Sequence, residues 1–105
     1  MRKLPSRYLE FFDRYPDVGK AYRSLGDAVV QAGPLDAKTQ ALVKLSIAIG
    51  ARMEGAVHSH TRRSLEAGAT PDEIRHAVLQ ATTTLGFPNM MAALSWVDEI
   101  LDNAE

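Results

Sequence analysis

Cysteine is missing from this chain altogether. Its absence removes disulfides, thiolate metal ligands, thiol nucleophiles and dithiol redox cycles together. It also fits a reducing compartment, so a cytoplasmic location is expected. An excess of basic residues is missing too. Lys and Arg number 12 against 13 Asp and Glu, for a net charge of −1, so no nucleic-acid partner is expected. The pair Arg62–Arg63 is too short to form a basic patch. No long apolar run is present. "ALVKLSIAIGA" (41–51) is interrupted by Lys44 and is shorter than a bilayer span requires, so no membrane partner is expected. "MRKLPSRYLEFF" has basic residues without an apolar stretch behind them, which reads as no secretory signal.

What is present is helical spacing. The 105 residues, 46% apolar and 24% charged, fit one domain over 1–105. Such a domain buries only a small core, so partner surfaces would help stabilise it. No stretch alternates polar and apolar residues between hairpin turns. The expected fold class is all-α, a single compact domain of about six helices. Helix one runs from Ser6 to about Tyr15. Helix two covers 17–31, with Tyr22, Leu25 and Val29 on one stripe and Gly33–Pro34 as its stop. Asp36 caps helix three. That helix has Leu42, Leu45 and Ile49 as a spine, with Val43, Ile47 and Ala48 making it apolar almost all round. An all-round apolar helix is buried, which would make it the central element.

Gly50 and Gly55 bracket an expected tight corner. Helix four follows over about 54–67, with Gly68 just beyond it. "TPDE" (70–73) reads as a capping box, Thr70 and Glu73 each satisfying the other's backbone N–H. Helix five would span 71–85 and stop at "GFP" (86–88). Helix six would carry Met91, Leu94, Val97 and Leu101 on one stripe. Several helices are apolar over more than one face, so a homo-oligomer is expected.

The reactive candidates cluster in "RMEGAVHSHTRR" (52–63). At roughly 100° per residue, Val57, Thr61 and Leu65 form the buried spine of helix four. Met53, Ala56, His60 and Ser64 fall on one flank. Glu54 and His58 fall on the other, so the two histidines point different ways. His60, at the edge of a buried stripe, suits a general acid or base, or else is a core-edge histidine bonded to a carbonyl. Glu54 and His58 could assist it, pair as a surface interaction, or supply two metal ligands. A metal would need His76 or Asp72 from helix five, or a histidine from a neighbouring subunit. Arg62 could hold an anion. Arg63 reads as a solvated or intersubunit charge. Gln80 and Thr82–Thr83–Thr84 place polar groups inside an apolar helix, as buried hydroxyls bonded back to carbonyls or as the lining of a small pocket.

The segment "LDAKTQALVKLSIAIGARMEGAVHSHTRRSLEAGATPDEIRHAVLQATTTLGFP" (35–88) resembles the carboxymuconolactone decarboxylase and alkylhydroperoxidase D-like superfamily. The most specific part is the His-x-Arg helix from His60, its glycine stop and the capped helix after it. The resemblance implies an all-helical fold, trimeric or hexameric, with sites near subunit contacts. The redox branch of that superfamily uses a Cys-x-x-Cys pair, a histidine and a glutamate. Here Met53 and Ala56 stand at the cysteine positions and Ala41 at the glutamate position, and only His60 matches. Met and Ala form neither thiolate nor disulfide, so thiol peroxidase activity is not expected.

The decarboxylase branch implies a cofactor-free lyase acting on a small organic acid. His60, with Glu54 and His58, would be the catalytic set. Arg62, Gln80 and Thr83 would bind substrate, and no metal would be involved. Residues two apart on a helix diverge by roughly 160–200°, so Arg62 could join His60 only across a subunit boundary. The alternative is a non-catalytic oligomeric member of the same fold that binds a small ligand or a protein.

Overall fold

The structure, a computed structural model, describes residues 6–103. Among them every regular element is a helix: α1 (Ser6–Arg14), α2 (Pro16–Gln31), α3 (Ala37–Gly50), α4 (Glu54–Glu66), α5 (Pro71–Leu79), α6 (Ala81–Thr84) and α7 (Phe87–Leu101). The contacts divide the chain into two units that meet in sequence at Leu35 and Asp36. No helix of the described residues is long and apolar enough to cross a membrane.

The first unit is the α1–α2 pair. Tyr15 accepts the amide of Gly19 across the connection, and Pro16 occupies the first turn of α2, where its missing N–H costs nothing. Phe12 packs so closely on Gly19 that any Cβ there would overlap its ring. Tyr8 and Phe11 flank Phe12 with ring centres 4.7 and 5.6 Å away, and the Arg23 guanidinium lies 4.0 Å over it. The expected stripe of α2 is solvent-exposed: Tyr22 and Leu25 are each 61% accessible and Val29 is 53% accessible.

The second unit holds the core. Leu45, Val57, Ile74, Val78 and Val97 are fully buried, drawn from α3, α4, α5 and α7. Each contributes about 1.5–3 kcal/mol of apolar burial. Helix α4 lies against α3 on one side and α7 on another. Three ion pairs tie α5 to its neighbours. Lys38 Nζ reaches Glu73 Oε2 at 2.9 Å, joining α3 to α5. Arg75 Nε and Nη2 reach Asp98 at 2.9 Å and Asp102 at 3.3 Å, joining α5 to the end of α7.

The local punctuation acts where expected. Asp36 accepts the amide of Thr39. Thr70 and Glu73 form the reciprocal capping box. Gly68 follows α4 with φ +98°. The α3–α4 corner does fall between Gly50 and Gly55 as expected, and it is turned at Arg52, φ +57°. Three details differ. The helix expected over 71–85 bends at Gln80 into α5 and the short α6. Helix α3 is buried along Leu45, Ala48 and Ile49 only, while Val43 and Ile47 are exposed. On α7 the buried row is Met90, Ala93, Val97 and Leu101, and Met91 is exposed.

Candidate functional site

Helix α4 is anchored by a buried polar spine. Val57, Thr61 and Ser64 are fully buried, and both hydroxyls are satisfied within the helix. Thr61 Oγ1 donates to the carbonyl of Val57 and Ser64 Oγ to that of His60, each at 2.7 Å. These bonds spare the core unpaired hydroxyls and leave the two flanks of the spine to present the histidines.

One flank carries His60 and Arg63, one helical turn apart and so neighbours on one face. Both are half-buried. His60 Nδ1 and Arg63 Nε are buried and have no hydrogen-bond partner among the described residues. Burial, and then the positive charges of Arg63 and of Lys44 on α3, hold the His60 imidazole below its ordinary pKa. The neutral ring is thereby favoured, in a cationic surround. Arg62, two residues from His60, is also half-buried and lies on a different side of the helix. The residue one turn from His60 is therefore Arg63. Its position follows from i, i+3 spacing, but its burial does not. Lys44 has no sequence signal beyond interrupting an apolar run.

The other flank carries Glu54 and His58. Here α7 adds a residue that sequence reasoning missed. His58 Nε2 lies 3.4 Å from Glu99 Oε1, and one donor atom from each of Glu54, His58 and Glu99 lies within 4.8 Å of the others. Glu99 is 41 positions from His58, and nothing local announces the meeting. Neither Asp72 nor His76 joins this group, and both are exposed. The structure thus brings Glu54 and His58 together and sets His60 apart from them.

Gln80 lines a cavity of about 280 Å³ between α3 and the α5–α6 bend, with Ser46, Ile49, Ala81, Thr84 and Leu85 among its walls. Three of its polar side chains each donate to a carbonyl four positions back in the chain. Ser46 Oγ bonds Leu42 O, Thr84 Oγ1 bonds Gln80 O, and Gln80 Nε2 bonds His76 O. Thr83 is exposed and is not part of this lining.

A cysteine-free, all-helical chain with a half-buried histidine on its central helix narrows the class of protein. The carboxymuconolactone decarboxylase family model matches residues 16–99, and the chain belongs to that family. It is 35% identical over 55 residues to an uncharacterised protein of Haemophilus influenzae, a match covering 52% of this chain and 49% of that protein. The chain thus spans about half the length of the curated relative it matches. The crystal structure of an apo carboxymuconolactone decarboxylase family protein from Legionella pneumophila superposes with a TM-score of 0.82. It shares 22% identity, over 95% of this chain and 89% of that one, which is a likeness of fold.

Proposed function

We propose that the protein is a cofactor-free enzyme of decarboxylase or isomerase type acting on a small organic acid. His60 is the acid/base group, and Arg63, with Lys44, is the carboxylate partner. The observation that carries this reading is the pair of buried, unpaired nitrogens on one face of α4, His60 Nδ1 and Arg63 Nε. An unpaired buried polar group costs about 1–3 kcal/mol. Two together, beside a lysine, make a site ready for an anionic acceptor. Arg63 takes the clamp role expected of Arg62 because it shares the face of His60.

In the decarboxylation of an unsaturated lactone acid, the bond from ring carbon to carboxylate breaks and CO2 departs. The electron pair passes into a dienolate, and a proton taken up from water by the His60 imidazole and passed on to carbon completes the product. The cationic side chains stabilise negative charge on the carboxylate and then on the dienolate. The fold itself leaves the reaction open.

The test is CO2 release from a panel of carboxylated unsaturated lactones. His60→Ala should abolish turnover while the elution volume of the assembly stays unchanged. Unchanged turnover would remove His60 from the mechanism, and no saturable binding of any panel acid would end the reading.

A homo-oligomer, trimeric or hexameric, belongs to the same proposal. Its support is the exposed apolar surface of Tyr22, Leu25 and Val29 on α2 and of Val43 and Ile47 on α3. Light scattering at micromolar concentration checks it. A cytoplasmic setting is supported by the lack of cysteine alone.

A second reading is a non-catalytic binding protein on this scaffold. It is favoured by the 280 Å³ cavity, whose lining includes Gln80 and not His60. Ligand binding that survives His60→Ala and fails when Gln80 is changed would select it.

A further inference from the structure

We propose that Glu54, His58 and Glu99 form a binding site for a first-row divalent metal ion of the zinc type, on the flank of α4 away from His60. The inference is independent of the acid-binding reading, which places no ion at His60.

The donor set comes first. One imidazole and two carboxylates, with no sulfur, suit zinc or manganese among divalent ions. An oxygen-only set would suit magnesium or calcium. Geometry comes second. The three donor atoms lie within 4.8 Å of one another. A tetrahedral ion with bonds of about 2.0–2.2 Å needs its donors about 3.4 Å apart. The His58 Nε2 to Glu99 Oε1 separation is already 3.4 Å. That is long for a hydrogen bond but the right spacing for two ligands of one ion. The exposed Glu54 and Glu99 side chains are free at their outer torsions to close the remainder.

The frame comes third. Glu54 and His58 are one helical turn apart on α4. Glu99 is brought by α7, whose neighbouring Val97 is fully buried in the core that holds Val57. Two ligands on one rigid element and the third on a helix packed against it make a preset gap. His58 is partly shielded, its side chain 22% accessible, while Glu99 is 58% accessible. The remaining coordination positions face water, as in open rather than closed zinc sites.

The experiment uses tag-free protein dialysed against chelator, titrated calorimetrically with ZnCl2. The absorption of added Co2+ reports nitrogen ligation. We expect about one equivalent per chain. His58→Gln and Glu99→Gln should each weaken binding at least tenfold, while His60→Gln leaves it unchanged. Zn2+ should raise the melting temperature of the parent protein and not that of Glu99→Gln, because the ion ties α4 to α7. Circular dichroism confirms that each variant is folded. Three results overturn the assignment: no saturable Zn2+ uptake, uptake indifferent to Glu99→Gln, or uptake lost equally in His60→Gln.

Discussion

His60 and Arg63 stand one helical turn apart on α4, each with a buried nitrogen that no group among the described residues satisfies. A guanidinium nitrogen withdrawn from water without a partner destabilises the free protein. Arg63→Met keeps the apolar stem and removes the orphan. The variant should be as stable as the parent or more stable by roughly 1 kcal/mol, and should bind small carboxylates more weakly. Thermal melts paired with carboxylate titrations read both. A large loss of stability with unaltered binding would show that Arg63 serves packing alone.

Leu45 and Ile47, two positions apart on α3, face opposite fates. Leu45 is fully buried and Ile47 is 66% exposed. Leu45→Ala should cost about 2–5 kcal/mol through lost burial and the cavity left behind, measured by urea denaturation. Ile47→Asp should leave the monomer fold intact and instead shift the proposed oligomer toward smaller species on light scattering. An unaltered assembly would exclude this face of α3 from the subunit contact.

The capping carboxylates predict an acid-sensitive fold. The Thr39 amide holds the Asp36 carboxyl below its ordinary pKa. The Thr70 amide, and then Lys38, do the same for Glu73. A carboxyl whose pKa is depressed on folding contributes stability above its unfolded value and loses it as pH falls through the folded one. The melting temperature should therefore decline as pH drops below about 4. Glu73→Gln, which keeps the cap but not the charge, should flatten part of that decline. A parallel acid profile for parent and variant would contradict the argument.

Glycines divide by backbone conformation. Gly68 has φ +98°, a region that side chains with a Cβ avoid, so Gly68→Ala should destabilise by about 1 kcal/mol. Gly26 lies inside α2, and a Cβ there meets nothing within 4 Å. Gly26→Ala should stabilise by about 0.5–1 kcal/mol. Opposite signs in chemical denaturation are the expected outcome, and like signs would refute it.

The sequence by itself determined the features whose partners are near in the chain. Asp36 finds the amide of Thr39, and Thr70 and Glu73 find each other, so helix starts were legible. The absence of cysteine closed thiol chemistry before any fold was known, because no arrangement of other side chains makes a thiolate. Helical spacing also placed His58 and His60 on different flanks.

Tertiary structure decided the rest. Which side of α3 is buried depends on where its neighbours lie, and a helix apolar all round does not say. Gly50 and Gly55 marked where the corner falls, but that Arg52 takes the positive φ was set by the path from α3 to α4. The burial of the Arg63 Nε atom and the approach of Glu99 to His58 depend on how α3 and α7 pack against α4. Capping and periodicity act over three or four residues, whereas a contact between positions 41 apart exists only once two helices have docked.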